Sequence, residues 1–438
     1  MIMAFPRYDS YKDSGVEWLG EIPNHWLLSS GRVYLKPQKV RNIGNKVKTV
    51  LSLSYGKIII KPEEKLHGLV PESFETYQIV GSGNIIVRAT DLQNDQTSLR
   101  IGLVRDKGII TSAYLCLAPS KKLDAKFTYY LLHAYDLLKI YYGMGSGLRQ
   151  NLDYVDFKYL PLPIPEPEEQ TKIANFLDRT TTEIDQAIAK KQRLIELLQE
   201  QKAILINQAV TKGLNPNVPM RDSGIEWIGK IPEHWEVKQA KHVMKAIVDT
   251  EHKTAPSFEN GEYLIVRTSN VRDGKLRLDD ALYTDEKHYQ KWTRRAVPET
   301  GDILFTREAP AGEACILPAN TKVLIGQRMV LMKVDSGIMD AQFTVFSIYG
   351  GAAKHYITNL STGSTVAHFN MSDIKHIPIL MPNLNEQRQI SQHLEKVSVD
   401  FDMAMIMERK GIASLNELKS TLIANAVTGK LKVCDRTF

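Results

Sequence analysis

The stretch Asp13-Ser14-Gly15-Val16-Glu17-Trp18-Leu19-Gly20 returns 209 residues later as Asp222-Ser223-Gly224-Ile225-Glu226-Trp227-Ile228-Gly229, and each copy continues to an Ile-Pro-x-His-Trp sequence. Of the 16 positions from Tyr11 to Trp26, ten are identical in the second copy. A repeat this long, and this rich in Trp, His and Pro, does not arise by chance, so the chain is a tandem duplication. A duplicated molecule is suited to engage something in two related places.

The end of the repeat unit is duplicated as well. Asp156-Phe157-Lys158-Tyr159-Leu160-Pro161 matches Asp373-Ile374-Lys375-His376-Ile377-Pro378, and Glu169-Gln170 matches Glu386-Gln387, both at an offset of 217 residues. This offset is 8 residues larger than that of the entry motif, so the second copy has a net insertion in its middle. The start and the end of the unit are kept while the middle differs, which suits one scaffold that carries two different readers.

Length and composition set broad limits. A chain of 438 residues is too long for one core, and its 43% hydrophobic and 24% charged content is typical of globular proteins. The net charge of +6 permits a polyanionic partner without requiring one. Cys116, Cys315 and Cys434 lie far apart, which argues against a disulfide framework or a zinc site and suits a reducing cytosol. No apolar run approaches the roughly 18 residues of a membrane helix, and the segment from Met1 to Pro6 is too short and uncharged for a secretory signal. We therefore expect a cytoplasmic protein.

Each copy begins with a predicted mixed domain of short strands. The predicted strands are 48–55 and 57–60, broken at Gly56, then 84–88 and 109–117 in the first copy, and 263–267, 302–305 and 330–334 in the second. Residues 127–141 are predicted to be helical, and 340–356 form a weaker counterpart.

A long helix is predicted after each mixed domain. From Glu169 to about Thr211 no Pro or Gly interrupts the chain, and a seam recurs at alternating spacings of 4 and 3. The seam comprises Leu177, Thr181, Ile184, Ile188, Lys191, Ile195, Leu198, Lys202, Leu205 and Ala209. The second helix, from near Asn385 to Thr428, repeats it with Ile390, Leu394, Val397, Phe401, Leu415, Leu418 and Leu422.

Helix-end signals support these two assignments. Asn383 followed by Glu386 fits an N-terminal capping box, and Gly213 and Gly429 follow the two helix ends, where a left-handed residue is expected. Gly411 falls inside the second helix and predicts a weak point there.

Two long helices with an apolar seam are not stable alone in water, so we expect them to pair. The predicted fold is α+β: two mixed α/β domains separated by two long antiparallel helices that form an intramolecular coiled coil, with pseudo-two-fold internal repeat symmetry. One mixed domain would lie at each end of the coiled coil. Two unrelated coiled-coil tethers remain the alternative interpretation.

Taken together, these features resemble the specificity subunit of type I restriction–modification systems. The resemblance covers nearly the whole chain and is carried by the duplicated entry motif, the Lys-x-x-Pro-x-x-x-Pro elements at 158–165 and 375–382, and the Glu-Gln helix starts. Each of these alone is weak, but all of them occur twice and in order.

The resemblance implies two target recognition domains that each read half of a bipartite, asymmetric DNA sequence, with helices that space these domains and dock the modification subunits. The predicted segments are 1–160 (first recognition domain), 161–214 (first helix), 215–378 (second recognition domain) and 379–438 (second helix and tail). The implied partners are double-stranded DNA, modification (methyltransferase) subunits and restriction (ATP-dependent translocase and endonuclease) subunits. S-adenosylmethionine, ATP and Mg²⁺ would be bound by those partner subunits, and no cofactor by this chain.

Catalytic motifs are missing from the sequence. It has no Asn/Asp-Pro-Pro-Tyr/Phe amino-methyltransferase signature and no Gly-x-x-x-x-Gly-Lys-Ser/Thr phosphate loop. Residues 143–147 superficially match a nucleotide-binding loop, but they follow a predicted helix and open none. The chain is therefore expected to be non-catalytic. A self-contained DNA methyltransferase or endonuclease with fused recognition domains, and a scaffold that never contacts bases, remain alternatives.

The duplicated Trp and His residues of the entry motifs are candidates for base stacking or catalysis. Because they recur inside a motif rich in Ile and Pro, a structural role is favoured, in which they pack the start of each domain against the helices. These residues are Trp18, Trp26, Trp227, Trp235, His25 and His234.

Residues that read DNA should lie where the two copies diverge and where polar side chains surround glycine. Arg can bridge guanine O6 and N7, Asn or Gln can bridge adenine N6 and N7, and Gly allows close approach to phosphate. In the first domain the predicted DNA-binding residues are Tyr55, Lys57, Arg88, Thr90, Gln93, Asn94, Ser146, Arg149 and Gln150. In the second they are Arg267, Ser269, Asn270, Arg307, Gln327, Arg328, Ser364, Thr365 and His368. The glycine-bounded loops 145–151 and 363–368 lie at matching places in the two copies. Any single residue could instead be an ordinary surface polar group.

Basic residues on the first helix allow two interpretations. They could contact phosphates in the spacer between half-sites, or form the solvated face of the helix, which we favour. They are Lys190, Lys191, Arg193 and Lys202.

Overall fold

The structure is a computed structural model that describes residues 6–62, 64, 73–95, 97–145, 150–361 and 368–433. The chain divides into two compact units, Met1–Gln192 with Arg409–Phe438, and Arg193–Glu408. Each unit holds one mixed domain and parts of two long helices, α4 (Pro167–Lys212) and α10 (Leu384–Val427), with elements numbered along the chain. The units divide inside these helices, and the segment boundaries at 160, 214 and 378 stay a prediction.

The first mixed domain is built from short strands. They are β1 (Tyr11–Asp13), β2 (Glu21–Pro23), β3 (Leu27–Ser30), β4 (Leu35–Pro37), β5 (Val40–Arg41), β6 (Leu51–Ser54), β7 (Lys57–Ile60), β8 (Gln78–Val80), β9 (Ile85–Val87), β10 (Ile101–Leu103), β11 (Gly108–Ile110), β12 (Leu115–Pro119) and β13 (Pro161–Ile164). Its helices are α1 (Gly31–Tyr34), α2 (Ala125–Leu137) and α3 (Tyr154–Tyr159).

The second mixed domain follows the same plan. Its strands are β14 (Met220–Asp222), β15 (Lys230–Pro232), β16 (Glu236–Gln239), β17 (Met244–Asp249), β18 (Tyr263–Val266), β19 (Val271–Arg272), β20 (Lys275–Leu276), β21 (Leu282–Thr284), β22 (Ile303–Thr306), β23 (Ala314–Ile316), β24 (Val323–Ile325), β25 (Met329–Val334) and β26 (Pro378–Met381). Its helices are α5 (Ala240–Val243), α6 (Glu286–Trp292), α7 (Ala341–Tyr349), α8 (Gly351–Ser361) and α9 (Met371–Lys375).

The core sheet has the same topology in both domains. The four-stranded sheet of the first domain has the order β4-β12-β9-β10, and that of the second has the order β17-β25-β22-β23, with every neighbouring pair antiparallel. In each domain a further strand pair, β3 with β13 and β16 with β26, brings the entry segment beside the proline-rich segment. The internal duplication is therefore confirmed at the level of strand order.

The smaller sheets differ between the domains. In the first domain β11-β8-β5 is antiparallel throughout, whereas in the second domain β18 pairs antiparallel with β21 and parallel with β24. This difference lies in the middle of the repeat, where the sequences also diverge.

Two predicted elements are each interrupted. The strand predicted over 109–117 is two strands, because a turn closed by the Tyr114 N–H donating to the Thr111 carbonyl at 3.2 Å separates β11 from β12. The helix predicted over 340–356 is divided into two helices, α7 and α8, because α7 ends before Gly350 and Gly351 adopts a left-handed φ of 61°. The Gly351 N–H donates to Asn207 Oδ1 of α4 at 2.8 Å, so this break seats the domain on the helix.

Within each unit, α4 and α10 run antiparallel. In the first unit the start of α4, with Ala174 and Leu177, shares a core with the end of α10, from Leu422 to Val427. In the second unit the end of α4, with Ile206 and Val210, shares a core with the start of α10. The predicted antiparallel helix pair is confirmed inside both units.

The predicted seam of the first helix is confirmed, because each of its residues is buried or half-buried. In the second helix the assignment of Leu418 to the seam is wrong. Leu418 is 45% exposed, and the neighbouring Lys419 turns inward and bonds Asp185 instead. The expected weak point at Gly411 is not a break, since α10 continues through it. A Cβ at this position would lie 3.2 Å from the Lys191 side chain, so glycine leaves room for that side chain.

The second residue of each Glu-Gln pair is a buried glutamine that fastens the domain to its helix. Gln170 Nε2 donates to the Pro165 carbonyl at 2.9 Å and to the Lys122 carbonyl at 3.3 Å, and its Oε1 accepts from the Asp124 N–H at 2.8 Å. Asp124 in turn caps α2 by accepting from the Phe127 N–H.

Gln387 repeats these contacts in the second unit. It donates to the carbonyls of Pro382 at 2.9 Å and Ile338 at 3.0 Å, and it accepts from the Asp340 N–H at 2.8 Å. Both glutamines are almost fully buried, so their amides must be hydrogen-bonded for the fold to be stable. Each helix start is thereby fixed to its own domain.

The first residue of the pair, the glutamate, binds the entry motif. In the first unit Glu169 accepts from Tyr8 Oη at 2.7 Å and Trp26 Nε1 at 3.1 Å, and lies 3.0 Å from His25 Nε2. In the second unit Glu386 lies 2.9 Å from His234 Nε2.

The expected packing of the entry motif against the long helices is confirmed for His25, His234, Trp26 and Trp235, but Trp18 and Trp227 instead contact Tyr135 and His355 of the mixed domains. Trp26 and Trp235 are fully buried, and each packs beside the glycine that ends a long helix, Gly429 and Gly213 respectively. These glycines have φ of 75° and 73°, as predicted for helix ends. At the start of α10 Asn383 accepts from the Glu386 N–H, while the Glu386 side chain goes to His234, so only half of the predicted capping box is observed.

Candidate nucleic-acid interface

Residues 88–95 of the first domain form a loop arranged around a buried arginine. Arg100 is fully buried, and its guanidinium donates to the carbonyls of Arg88 at 3.1 Å, Thr90 at 2.8 Å and Asp91 at 3.4 Å, and also to that of Asp95. The Arg100 side chain therefore fixes the path of this loop from inside.

The predicted DNA-binding residues on this loop are presented differently. The side chains of Gln93 and Asn94 are exposed, whereas Arg88 is half-buried and pairs with Asp95 at 3.0 Å. Hydrogen bonds from the hydroxyl and N–H of Ser98 lower the pKa of Asp95 to about 2, and the charge of Arg88 adds to this. Asp95 thus stays ionised near neutral pH and holds Arg88 at the edge of the loop.

A second segment joins this loop. The Leu152 N–H donates to the Ala89 carbonyl at 2.7 Å, the Leu92 N–H donates to the Gln150 carbonyl at 3.3 Å, and Asn151 Oδ1 accepts from the Asp91 N–H at 2.9 Å. The structure thus brings the loop 88–95 and residues 150–152 together, although they are far apart in sequence.

The state of the predicted residues in this second segment varies. The amide of Gln150 donates to the carbonyls of Tyr142 at 2.7 Å and Met144 at 2.9 Å, so in this conformation it shapes the loop. Ser146 and Arg149 lie outside the described residues.

The hairpin of β6 and β7 carries the other two predictions in this domain. Tyr55 occupies the turn with a φ of 47° and is 90% exposed. The ammonium group of Lys57 lies 3.3 Å from Asp185 of α4, so this lysine contacts the helix. The structure therefore places Lys57 against α4, whereas Tyr55 faces solvent at the tip of the hairpin.

In the second domain a buried asparagine organises the turn that follows β18. Asn270 is fully buried; its Oδ1 accepts from the Arg267 N–H at 3.0 Å, and its amide donates to the Arg277 carbonyl at 3.0 Å. Arg267 donates from Nη2 to the Asp280 carbonyl at 2.6 Å, and Ser269 is exposed. Asn270 therefore shapes the turn, and Ser269 is presented on it.

A second group of predicted residues forms a charged network. Arg307 is largely buried, pairs with Asp249 at 3.1 Å through Nη1 and approaches His368 Nε2 at 3.3 Å through Nη2. The Glu308 carboxylate lies 2.9 Å from His368 Nδ1 and 3.4 Å from Arg328 Nε. The backbones of Glu308 and His368 also form an isolated β-bridge. The structure brings these residues together although Arg307 and His368, for example, lie 61 positions apart.

Exposure divides this network into an inner and an outer part. Arg307 has only 8% of its side chain exposed, whereas Arg328 and His368 have about half of theirs exposed. Gln327 lies beside Arg328 and accepts from Thr254 Oγ1 at 3.5 Å. Ser364 and Thr365 lie outside the described residues.

Sequence reasoning missed Arg100, whereas Asn151 lies in the predicted loop 145–151 and Glu308 stands beside the predicted Arg307. Arg100, Asn151 and Glu308 hold the candidate side chains in place through hydrogen bonds and ion pairs. The sequence indicated the stretches that contain Asn151 and Glu308, but it did not show that these two side chains support their neighbours. Arg100 has no comparable signal, because its partners are carbonyl groups.

Other kinds of site find no support in the part of the chain that the structure covers. Among residues 6–62, 64, 73–95, 97–145, 150–361 and 368–433, no group of three or more His, Cys, Asp or Glu side chains is arranged to hold a metal ion. Burial raises the pKa of the Cys116 and Cys315 thiols to about 12, so they are not nucleophiles near neutral pH. No helix within the same residues has the length and apolar character needed to cross a bilayer.

Comparison with known proteins identifies relatives along the whole chain. The putative type I restriction enzyme MjaX specificity subunit of Methanocaldococcus jannaschii is 23% identical over 447 residues, with 99% of each chain covered. The MjaVIII specificity subunit of the same organism is 23% identical over 456 residues, with 100% of each chain covered. The EcoKI specificity subunit of Escherichia coli K12 is 22% identical over 64% of this chain and 60% of its own length.

Two solved structures share the fold. A chain from a study of complex assembly and conformational transition of the type I R-M system superposes with a TM-score of 0.66 at 16% identity, covering 94% of this chain and 99% of that one. The HsdS subunit from Thermoanaerobacter tengcongensis gives a TM-score of 0.51 at 15% identity, covering 94% and 98%.

The family model described as the type I restriction modification DNA specificity domain matches residues 39–197 and again residues 232–403. Each match runs from one mixed domain into the long helix that follows it, which is the unit found duplicated in the sequence. The chain therefore belongs to the type I restriction–modification DNA specificity family.

Proposed function

We propose that this chain is the sequence-specific DNA-recognition subunit of a type I restriction–modification complex, and that its two mixed domains read the two halves of a bipartite, asymmetric target. The observation that carries the proposal is the repetition of one core sheet with different chemistry in its loops. Because the two core sheets are alike, both domains can dock on DNA in the same way. Because their loops differ, the two domains should recognise different base sequences. A target with identical halves would need no such divergence.

In the first domain the exposed residues Gln93 and Asn94 are the best-placed readers of bases, and the exposed Tyr55 is a candidate for backbone or sugar contact. Amide side chains can bond adenine N6 and N7 in the major groove. Arg88 would join them if a guanine or a phosphate displaced Asp95 from its guanidinium group.

In the second domain the outer part of the charged network is the proposed reading surface. Arg328 offers a guanidinium group suited to guanine, and Glu308 offers a carboxylate suited to the cytosine amino group. Their present pairing with each other and with His368 keeps these groups neutralised until DNA arrives. The buried Arg307 and Asn270 would hold the exposed residues in position without contacting bases.

The long helices are the proposed docking place for partner subunits. In the second unit they expose several large apolar side chains, and a cluster of such side chains on a helix surface is a candidate protein–protein contact. These are Leu194, Leu197 and Ile204 on α4 and Val399, Met403, Ile406 and Met407 on α10. A modification subunit that supplied apolar helices would cover them, and the restriction subunits would join the complex so formed.

The chain itself is proposed to be non-catalytic, with S-adenosylmethionine, ATP and Mg²⁺ bound by the partner subunits. Its work on DNA would take place in the cytoplasm. The missing methyltransferase and phosphate-loop motifs support this division of labour.

Reconstitution tests the proposal. The purified chain alone should transfer no methyl groups from S-adenosylmethionine, and should give site-specific methylation when combined with its modification subunits. The modification subunits without this chain serve as the control. Robust methyl transfer or nicking by the isolated chain would instead establish a self-contained enzyme, and binding with no preference between random and selected DNA would remove the recognition role.

A further inference from the structure

An ion cluster of the same composition occurs in both units. In the first cluster, Asp185 of α4 binds Lys419 of α10 at 2.6 Å and Lys57 of the mixed domain at 3.3 Å. In the second cluster, Asp402 of α10 binds Lys202 of α4 at 2.7 Å and Lys275 of the mixed domain at 3.0 Å.

The two clusters are related by the internal repeat. Asp402 follows Asp185 by 217 residues, and Lys419 follows Lys202 by the same 217, which is the offset of the Glu-Gln helix starts. Each long helix therefore supplies the aspartate of one cluster and the lysine of the other. In both clusters one carboxylate joins α4, α10 and the mixed domain.

The mixed domain reaches each cluster through the same kind of hairpin. In the first domain the two-residue turn between β6 and β7 has Tyr55 and Gly56 at φ of 47° and 74°. In the second, the turn between β19 and β20 has Asp273 and Gly274 at 52° and 79°. Positive φ at both central residues is typical of type I′ turns. The cluster lysine comes directly after the glycine in each case.

These hairpins pack against other elements of their domains. The Gly56 carbonyl accepts from Tyr129 of α2 at 3.3 Å, and a Cβ on Gly56 would lie 3.2 Å from Leu99. Gly274 lies against Val345 and Tyr349 of α7. An ion pair made by the hairpin lysine therefore restrains the whole domain.

The clusters give each domain a second attachment to the helices. The first is at the helix start, where Gln170 or Gln387 is buried, and the cluster aspartate lies 15 residues further along, since Gln170 precedes Asp185 and Gln387 precedes Asp402 by that number. At 1.5 Å per residue this separation is about 22 Å. A domain attached only at the helix start could tilt about that point. A tilt of about 9° would displace the part of the domain that lies about 22 Å away by roughly 3.4 Å, which is one base-pair step.

We propose that the two Lys-Asp-Lys clusters are positioning sites that stop each recognition domain from tilting along the helix pair, and so fix the number of base pairs tolerated between the two half-sites. This inference rests on the proposed function. Lys275 and Asp402 act through the placement of the domain, not by contact with bases. The observation behind it is the recurrence of one three-element cluster at positions related by the repeat.

The test compares methylation of DNA with altered spacers. The spacer is first found by sequencing the sites methylated by the unaltered chain with its modification subunits. Substrates then keep both half-sites and lengthen or shorten the spacer by one base pair. Lys275→Met should lower the ratio of methylation at the original spacer to that at the altered ones by about 1.5- to fivefold, the range for an exposed ion pair. Lys275→Arg should keep the ratio.

Matched controls separate positioning from stability and from base reading. Lys354→Met removes an exposed lysine of the same unit and should leave the ratio unchanged. Asp402→Asn should lower the ratio at least as far as Lys275→Met. Single-base changes in either half-site should be discriminated as before in all these variants, because the reading loops are untouched.

The outcomes distinguish this inference from the proposed function. An unchanged spacer ratio in folded Lys275→Met and Asp402→Asn chains would overturn the positioning role, and so would a failure to discriminate bases at the original spacer. If the unaltered chain with its partners methylated DNA without regard to half-sites, the recognition function itself would fail.

Discussion

Replacing Arg100 by Met should disorganise the loop 88–95 while leaving the rest of the chain folded. The substitution keeps most of the apolar stem of the side chain and removes a guanidinium group that serves four backbone carbonyls. A hydrogen bond from a charged donor contributes about 1.5–3 kcal/mol to stability. Two effects reduce the net loss: the freed carbonyls lie near the surface and can bond water instead, and the variant no longer bears the cost of desolvating a buried charge. We expect the first unit to lose about 2–4 kcal/mol of unfolding free energy.

The functional effect should be confined to one half of the DNA target. Discrimination against single-base changes in the half-site read by the first domain should weaken by roughly 1–3 kcal/mol for each base that is no longer held by a bidentate pair of hydrogen bonds. Discrimination in the other half should be unchanged, because the second domain has its own loops. Urea unfolding of the chain measures the stability change, and competition binding with singly substituted duplexes measures the discrimination.

Arg105→Met is the matched control, since Arg105 is an exposed arginine of the same domain. It should alter neither stability nor discrimination by more than about 0.5 kcal/mol. A folded Arg100→Met chain that still discriminated every base of both halves would show that the loop 88–95 does not read DNA. Equal losses in both halves would show that the domains do not read separately.

Further predictions concern domain exchange, helix length and acid stability. Exchanging residues 27–155 for the corresponding domain of a relative should change one half of the methylated sequence alone, which sequencing of methylated sites checks. Arg149→Ala, which removes one predicted bidentate contact with a base, should weaken discrimination in that half by roughly 1–3 kcal/mol in duplex competition. Gln150→Ala should weaken it indirectly, because the Gln150 amide holds the loop through the carbonyls of Tyr142 and Met144. Inserting one heptad into each long helix, near Leu197 in α4 and near Ile406 in α10, keeps the pair in register and adds about 10 Å, so the spacer should lengthen by roughly three base pairs with the half-sites unchanged. A folded, active insertion variant with the original spacer would refute this. Burial, aided by the charge of Lys419, lowers the pKa of His133 from 6.5 to about 4, so the unfolded chain takes up a proton before the folded one does. Stability present above pH 6.5 should therefore fall by about 3 kcal/mol as the pH drops from 6.5 to 4, and His133→Phe should flatten this dependence in acid unfolding.

The frame of the molecule could be predicted because its signals are local and repeated. The entry motifs, the Glu-Gln starts and the terminal Gly213 and Gly429 each mark a boundary by residue type alone. The α4 seam was predictable because an apolar period of about 3.5 persists over many turns. In α10 the choice between Leu418 and Lys419 depended on Asp185, which lies on another helix, and residue type gave the wrong answer.

The interior of the loops could not be predicted in the same way. Arg100 and Asn270 bond backbone carbonyls and N–H groups, which every sequence supplies, so no pairing of side chains reveals their partners. The network around Glu308 depends on residues about 60 positions apart that only the folded sheet brings together. A sequence pattern finds the polar residues of a loop, but it does not show which of them face inward.

The buried glutamines explain how the same frame tolerates two different sets of loops. All three partners of Gln170, and all three of Gln387, are backbone groups. Lys122 in one domain and Ile338 in the other serve equally well, because each contributes only its carbonyl. The attachment of domain to helix is therefore insensitive to the side chains around it. Substitutions that change what a domain reads can accumulate in the loops without loosening the helix start, which is the physical condition for one scaffold to recognise two unrelated half-sites.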